Sequence, residues 1–308
     1  MNLLKKGDFV GIVAPGSPVP REVFEKGVNV LEQMGFKIKL GEHVFDITGH
    51  TAGNPEDRAS DINRFFADPD VKAIIAARGG YNCNQVLPCL DYKLIKKNQK
   101  IFLGLSDVTA ILNAITSKTG IVTFHAPVLL MIGGGKDGKA FSSYTQKNFQ
   151  KILMGKQREN INLTNASNNW HVLKRGKAIG KLLGGNLPSL TSIIGTSYEP
   201  NWEEAILIWE TTGERIELID QMLTHLKLAG IFDKIVGMII GKLVDTEPKE
   251  DIRLGIRIME MILKQCKEYR FPIIYGVDFG HVNDNLILPI GAKASFDTEN
   301  GVIKLIKY

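Results

Sequence analysis

The first half of the chain alternates short β-branched apolar runs with longer amphipathic segments, which is the pattern of βαβ units on a parallel sheet. The predicted strands cover residues 9–15, 37–44, 72–77, 100–104 and 121–127. The predicted helices between them cover residues 20–35, 55–68, 82–92 and 107–120. Asp107 is predicted as the N-cap of the last helix and Gly120 as its stop. We therefore expect an α/β fold with a parallel sheet in the N-terminal half.

The second half is less regular but still mixes strands with helices. Predicted strands cover residues 206–210, 235–243 and 272–280, and predicted helices cover 214–230 and 252–266. Between the halves, Lys, Asn, Gln and Ser become frequent, which is typical of a connecting segment. We predict an N-terminal domain over residues 1–150, a linker or crossover over 151–177, and a C-terminal α/β domain over 178–308.

Composition excludes several classes of protein. The 308 residues are 44% hydrophobic and 23% charged, as in globular proteins large enough for two domains. The net charge is +5, but basic residues are interleaved with acids, as in residues 248–257, whereas nucleic-acid binders concentrate them. No apolar run reaches the roughly 18 residues of a membrane span. We therefore expect neither a nucleic acid nor a membrane as partner.

The chain's beginning and its cysteines indicate the compartment. Residues 1–15 contain two lysines and one short apolar stretch without a cleavage site, so they predict a first strand and not a signal peptide. The three cysteines fit neither a zinc site nor a disulfide framework. A reducing cytoplasm is the expectation.

The segment over residues 100–115 contains a candidate nucleophile. Ser106 follows a predicted buried strand that ends at Gly104, and it precedes a helix whose N-terminus favours developing negative charge. The G-x-S-x-G elbow of α/β-hydrolases is not matched, because Val108 stands where the second glycine belongs. The alternative is that Ser106 is a helix N-cap.

A second strand-to-helix turn carries paired glycines next to Arg78. Such glycines let backbone N–H groups point at a ligand, although they also occur in ordinary tight connections. In the functional interpretation the amides of Gly80 and Asp107 flank one carbonyl oxygen as an oxyanion hole. Arg78 either clamps a carboxylate with two hydrogen bonds or serves the fold.

A serine nucleophile needs a base and an orienting acid. His281 lies on a loop between two predicted strands, where functional residues concentrate, although a lone histidine is more often structural. His125 ends a strand at the carboxyl edge of the predicted sheet. Glu210 ends an apolar strand, and its burial would be costly without a specific partner such as an imidazole N–H.

No metal or cofactor is predicted. Residues 133–140 fit G-x-x-x-x-G-K, but Ala140 stands where a Ser or Thr would bind Mg²⁺, so we interpret them as a glycine-rich loop. The chain has no H-E-x-x-H, EF-hand or paired C-x-x-C pattern.

With Ser106, Glu210 and His281 in these contexts, the chain resembles the LD-carboxypeptidase family of serine peptidases. That family also contains the microcin-C immunity peptidases. The segments that carry the resemblance lie in order over nearly the whole chain, at residues 11–18, 78–92, 104–115, 183–187, 206–210 and 278–291. The resemblance implies a Ser106–Glu210–His281 triad, with the Gly80 and Asp107 amides as oxyanion hole. It also implies an N-terminal domain with a doubly wound, mostly parallel sheet and a C-terminal α/β domain with a small β-barrel-like core. A site at the domain interface and a homodimer are implied as well.

The implied reaction is hydrolysis of an amide bond near the carboxyl end of a small peptide or peptide conjugate. The alternative is a non-catalytic protein that binds a small ligand and retains the fold. Two substrate classes remain open, a murein tetrapeptide and a peptidyl nucleotide. The run Asn82, Cys83, Asn84 resembles the microcin branch, whereas the modest length and the absence of an inserted loop favour the murein branch.

Several residues are expected to contact the substrate. They are Arg78, Tyr81, Asn82, Asn186 and Trp170. Of these, Trp170 is the candidate for stacking on a nucleobase, and its alternative is a place in the core. In the histidine loop, Val282 and Asp284 stand where the family often has Thr and Pro, which bears on substrate fit.

Overall fold

The computed structural model describes residues 3–134, 141–166, 170–246, 253–299 and 301–308. Residues 135–140 of the glycine-rich segment lie outside the described residues, so its predicted loop is not addressed. Within the described ranges, no helix combines the length and apolar character that crossing a bilayer requires.

The strands, in chain order, are β1 Phe9–Val13, β2 Lys37–Leu40, β3 Val71–Ala76, β4 Ile101–Gly104, β5 Thr123–His125, β6 Glu159–Leu163, β7 His171–Lys174, β8 Lys177–Asn186, β9 Ala205–Thr212, β10 Gly237–Val244, β11 Ile273–Tyr275, β12 Leu288–Ile290, β13 Lys293–Asp297 and β14 Val302–Lys307. The α-helices are α1 Arg21–Gln33, α2 Pro55–Ala67, α3 Tyr92–Lys97, α4 Thr109–Thr119, α5 Leu129–Ile132, α6 Ser143–Phe149, α7 Leu187–Thr191, α8 Ile216–Leu228, α9 Ile231–Lys234 and α10 Leu254–Gln265. Short 3₁₀ helices cover Cys83–Cys89 and Ser106–Val108, and a π-helical turn covers Gln150–Met154.

The first sheet has the strand order β12-β5-β4-β3-β1-β2. Strands β1 to β5 pair in parallel, and β12 pairs antiparallel with β5. Counted from the β2 edge, the parallel strands have the order 2-1-3-4-5, which is that of a doubly wound sheet. This order confirms the predicted N-terminal architecture. Every residue of Ile101–Gly104 is buried, because a parallel strand in the middle of such a sheet is covered on both faces.

The second sheet is mixed, with the order β6-β14-β13-β8-β9-β10-β11-β7. Its centre, β8 to β11, is parallel, and its flanking pairs are antiparallel. The C-terminal α/β architecture is therefore confirmed. In place of the small barrel-like core that we expected, the described strands form one eight-stranded sheet whose end strands, β6 and β7, are not paired with each other.

The connecting segment contributes strands that we did not predict. Residues 151–177 include β6 and β7, which form the two edges of the second sheet. Edge strands are half solvated, and most residues of β6 and β7 are exposed or half-buried. Their polar sequence therefore resembled a linker. In the other direction, β12 returns from the C-terminal half to the first sheet, so the chain passes between the two sheets three times, after β5, after β11 and after β12.

Two local predictions need correction. The helix expected over residues 82–92 is a 3₁₀ helix with Pro88 inside it, followed by α3 with Asp91 as its N-cap. Proline cannot donate to an α-helical hydrogen bond, which explains the break. Asp107 caps no helix, because its carboxylate accepts from the backbone N of Cys83 and from Ser189 Oγ. Gly120, by contrast, ends α4 in a left-handed conformation as predicted.

Arg58 joins the loops that follow β1 and β3. Its side chain is buried at 1% exposure, and Nη1 donates to the carbonyls of Pro15 (2.6 Å) and Asn82 (3.0 Å). Nη2 donates to Gln85 Oε1 at 2.8 Å. One guanidinium therefore satisfies polar groups of two loops at the carboxyl edge of the first sheet.

We expect Arg58→Ala to lower the free energy of unfolding by about 3–5 kcal/mol, because it leaves buried carbonyls without a donor and creates a cavity. Urea unfolding monitored by circular dichroism measures the change. The matched control is Arg215→Ala, since Arg215 is 65% exposed and pairs only with exposed Glu217 among described residues. The control should change stability by less than about 1 kcal/mol. Equal effects of the two variants would contradict the structural role of Arg58.

Candidate active site

Ser106 lies in a strained turn directly after β4. Its φ of 64° is left-handed, a conformation that costs a non-glycine residue roughly 1–3 kcal/mol and that recurs at functional sites. Gly104 permits the turn, because a Cβ there would lie 2.3 Å from Val108 Cγ1. The N-cap residues are Leu105 for the short 3₁₀ helix and Val108 for α4, so the N-cap alternative for Ser106 is wrong. The turn lifts a partly exposed hydroxyl out of the sheet.

The paired glycines after β3 pack directly against this turn. A Cβ on Gly79 would lie 2.8 Å from Ser106 Cβ and 2.9 Å from the backbone N of Asp107. Gly80 has a φ of 80° and passes Ser17, whose Oγ accepts from the backbone N of Tyr81 at 3.2 Å. The structure therefore places the Gly79–Gly80 backbone beside the backbone N of Asp107.

Asp107 holds the turn in position through its side chain. Its Oδ2 accepts from the backbone N of Cys83 at 2.6 Å, and its Oδ1 accepts from Ser189 Oγ at 3.0 Å. Cys83 follows the glycine pair, and Ser189 belongs to α7 after the second sheet's β8. The side chain of Asp107 therefore connects three segments, while its backbone N–H remains the candidate oxyanion donor.

Glu210 and His281 form the second half of the site. Glu210 lies near the end of β9 and is fully buried, and its Oε2 accepts from His281 Nδ1 at 2.7 Å. Asn186 Nδ2 donates to the other oxygen, Oε1, at 3.1 Å. Gly280 has a φ of 114°, and a Cβ there would lie 2.7 Å from Glu210 Oε2, so only glycine lets the loop approach the carboxylate this closely.

The pKa values follow from this geometry. Burial raises the pKa of Glu210, but the His281 and His125 imidazoles lower it by more, and the net pKa lies well below the usual 4.5. Burial lowers the pKa of His281, but the charge and hydrogen bond of Glu210 raise it above the usual 6.5. The pair therefore has an ionised carboxylate that stabilises a cationic imidazole.

The end of β8 connects the two halves. The backbone N of Asn186 donates to Thr109 Oγ1 at 2.9 Å, and Asn113 at the next turn of α4 exchanges two hydrogen bonds with the backbone of Gly184. Helix α4 begins three residues after Ser106, and Asn186 contacts Glu210. Within the described ranges, Ser106 Oγ and His281 are not joined by a hydrogen bond, so that last link belongs to the proposal below.

The residues predicted to contact substrate lie in different environments. Tyr81 is 69% exposed, next to Gly80 in the loop after β3. Asn82 has a φ of 65° and its Nδ2 lies 2.6 Å from His50 Nε2. Arg78 Nη1 donates to the Pro18 carbonyl at 3.1 Å, which supports its role in the fold.

The other two predicted contact residues are engaged within the protein. Asn186 is buried, and it caps α7 through Oδ1 while donating to Glu210. Trp170 is half-buried against the hydrophobic core, and its ring lies 3.7 Å from the Cβ position of Gly301. Its place in the core is therefore supported, and base stacking stays a prediction.

Sequence reasoning did not assign roles to Thr109, Ser189 or His125. His125 is fully buried with Nε2 3.8 Å from Glu210 Oε1, and its place at the carboxyl end of β5 was the available signal. Among described residues, a group that could hold a metal ion is His43, Asp46 and Asp57. It lies on the surface near the start of α2 and has no contact with Ser106 or Glu210 among the described hydrogen bonds and ion pairs.

Comparisons with known proteins show which family this chain is similar to. The family model of the LD-carboxypeptidase N-terminal domain matches residues 10–126, and that of the C-terminal domain matches residues 179–296. The chain is 33% identical to the probable murein peptide carboxypeptidase of Bacillus subtilis, over 96% of this chain and 90% of that protein. It is 31% identical to the microcin C7 self-immunity protein MccF of Escherichia coli, over 98% and 94%.

Solved structures show the same fold over the whole length. MccF in its wild-type unliganded state superposes with a TM-score of 0.92 at 29% identity, covering 99% of this chain and 98% of that one. The muramoyltetrapeptide carboxypeptidase of Oxalobacter formigenes superposes with a TM-score of 0.83 at 27% identity, covering 97% and 99%. With both domain models matched in order and the relatives covered nearly end to end, this chain belongs to the LD-carboxypeptidase family of serine peptidases.

Proposed function

We propose that this peptidase uses Ser106, His281 and Glu210 as a catalytic triad to hydrolyse an amide bond near the carboxyl end of a small peptide or peptide conjugate. The observation that carries the proposal is the 2.7 Å hydrogen bond between His281 Nδ1 and the fully buried Glu210. It lies beside the end of β8, which is itself hydrogen-bonded to the helix that follows Ser106.

The hydrogen bond fixes the roles of the two imidazole nitrogens. With Nδ1–H donating to Glu210, Nε2 carries the lone pair and accepts the Ser106 proton as Oγ attacks the substrate carbonyl carbon. The C–N bond of the tetrahedral intermediate then breaks, and Nε2–H returns the proton to the leaving amine. Water attacks the acyl-enzyme by the same route and releases Ser106.

The backbone amides of Gly80 and Asp107 supply the electrostatic part of the mechanism. They would hold the negative oxygen of the intermediate, and a preorganised donor pair of this kind needs little rearrangement during the reaction. Asp107 owes its position to the bonds from Cys83 and Ser189. This chemistry uses side chains and backbone of the chain itself and requires no metal step.

Two substrate classes are supported by different relatives. MccF has been solved in complex with aspartyl sulfamoyl adenosine and with glutamyl sulfamoyl guanosine, whereas the Oxalobacter relative is a muramoyltetrapeptide carboxypeptidase. In this chain the exposed Tyr81 ring beside Gly80 offers an aromatic surface, which favours a peptidyl nucleotide.

Side-by-side hydrolysis of an aspartyl sulfamoyl adenosine and a murein tetrapeptide separates the two classes. The homodimer and the cytoplasmic location stay predictions.

A non-catalytic binding protein is the alternative, and a fluorophosphonate reagent distinguishes it. The reagent should label Ser106 in the enzyme and leave a binding protein unlabelled.

Ser106→Ala removes the nucleophile, so we expect hydrolysis to fall by at least about 10³-fold, because triad members act as a unit. The thermal midpoint should stay within a few degrees, since the side chain makes no capping bond and is partly exposed. Product release followed by liquid chromatography measures the first effect and differential scanning fluorimetry the second. The control is Ser192→Ala at the C-cap of α7, where the Ser192 hydroxyl donates to the Ser189 carbonyl, and this variant should retain activity. Undiminished hydrolysis by Ser106→Ala would defeat the assignment.

Gly79→Ala should displace the nucleophile turn, because the added Cβ would lie 2.8 Å from Ser106 Cβ and 2.9 Å from the Leu105 carbonyl oxygen. We expect kcat to fall by about 10²-fold or more, comparable with the loss of an oxyanion donor. The matched control is Gly255→Ala, where the added Cβ meets nothing within 4 Å. If both variants keep the wild-type kcat, the close packing of the two turns has no role in catalysis.

The acid limb of kcat/KM should lie above pH 6.5, because His281 must be neutral to accept a proton and Glu210 raises its pKa. Glu210→Gln removes the raising charge and leaves burial, so the His281 pKa should fall below that of the wild type. NMR titration of the His281 ring measures the pKa independently of activity. Glu217→Gln, at an exposed position of α8, is the control and should leave the His281 pKa unchanged. A higher His281 pKa in Glu210→Gln would contradict the assignment.

A further inference from the structure

His125 is a buried imidazole that the proposed mechanism does not use. It ends β5 in the first sheet at 0% exposure, and neither of its ring nitrogens has a hydrogen-bond partner in the part of the chain that the structure describes. Its ring packs edge-to-face on Phe279, with centroids 5.7 Å apart. A buried polar ring with both nitrogens unsatisfied is unfavourable unless a partner becomes available.

The available partner is the carboxylate of Glu210. His125 Nε2 lies 3.8 Å from Glu210 Oε1, which is beyond hydrogen-bond distance but within range of an ion pair. Asn186 already donates to Oε1 and His281 to Oε2. Because a carboxylate accepts about four hydrogen bonds, Oε1 has capacity for a second donor.

The two groups come from different sheets, His125 from β5 and Glu210 from β9. A relative movement of less than about 1 Å would bring Nε2 within hydrogen-bond distance of Oε1. Gly185, in β8 of the second sheet, lets the two sheets approach closely at this point, because a Cβ there would lie 3.0 Å from His125 Cδ2. A neutral His125 with the proton on Nε2 would then satisfy its own nitrogen and fix the plane of the carboxylate.

We propose that His125 is a positioning residue whose Nε2–H donates to Glu210 Oε1 when the acylated site forms, so that Glu210 holds His281 in its reactive orientation. The proposal rests on the proposed triad. His125 touches neither the substrate nor the reacting atoms, and it acts through Glu210. It also gives the first sheet, which carries the nucleophile, a direct contact with the acid of the second.

A pair of variants separates this role from packing. His125→Phe keeps an aromatic ring against Phe279 but has no donor, whereas His125→Gln retains an N–H donor near the Nε2 position. A hydrogen bond to a charged group corresponds to about a 10- to 100-fold effect. We therefore expect His125→Phe to lower kcat by that factor with KM unchanged, and His125→Gln to recover most of it. His125→Leu replaces His125→Phe if the larger ring prevents folding.

An NMR readout reports on the same contact without turnover. In the enzyme modified at Ser106 with a fluorophosphonate, the His281 Nδ1 proton bonded to Glu210 should give a far-downfield resonance. We expect that resonance in the wild type and in His125→Gln, and its broadening or loss in His125→Phe. Ring ¹⁵N shifts should also show His125 protonated on Nε2.

Two results would overturn the proposal. One is a wild-type kcat and an unchanged His281 resonance in His125→Phe, and the other is equal impairment of His125→Phe and His125→Gln. A failure of the triad itself is recognised separately, because wild-type protein would then hydrolyse neither substrate and Ser106 would remain unlabelled.

Discussion

A fully buried, ionised carboxylate is stable only when its oxygens accept hydrogen bonds or pair with a cation, and Glu210 is such a carboxylate. Its two oxygens accept from His281 and Asn186, and His125 lies nearby. These partners come from the loop after β11, from the end of β8 and from β5. Satisfying one charge therefore brings together the loops and strand ends on which the site is built, and it orients the imidazole at the same time.

Close backbone approach is the second requirement of the site, and glycines meet it where a side chain would not fit. Gly79 lets the loop after β3 reach the Ser106 turn, and Gly280 lets the loop that carries His281 reach Glu210. Gly104 leaves room for the Val108 side chain in the turn that carries Ser106. The strained backbone of Ser106 is tolerated because the backbone of the neighbouring loop, at Gly79, packs tightly against it.

Local sequence patterns predicted the parts of the molecule that local physics controls. Strands β1 and β4 are continuous apolar runs, and Gly120 ends its helix. We expected Glu210 to need a specific partner such as an imidazole N–H, and its carboxylate accepts from His281. The family resemblance, and not periodicity, joined Ser106 to these two residues. Asn186 is predicted to contact the substrate, but its side chain bonds within the protein. A polar side chain in a glycine-rich segment gives no indication of such internal partners.

What could not be predicted depends on long-range pairing. Strands β6 and β7 are polar because they lie at sheet edges, and β12 crosses back to the first sheet although nothing in its sequence distinguishes it from its neighbours. Asp107 has the residue type and position of a helix cap. Its carboxylate instead accepts from Cys83 and Ser189, which are distant in sequence. Such contacts are decided by the tertiary structure.

The central claim is that a hydroxyl from one sheet and an imidazole–carboxylate pair from the other act as one unit. A crystal structure of the fluorophosphonate adduct tests it most directly. The account predicts the adduct on Ser106, its phosphoryl oxygen between the amides of Gly80 and Asp107, and His281 Nε2 about 3 Å from Ser106 Oγ. An adduct on another residue, or an imidazole turned away from Ser106 while still bonded to Glu210, would contradict it.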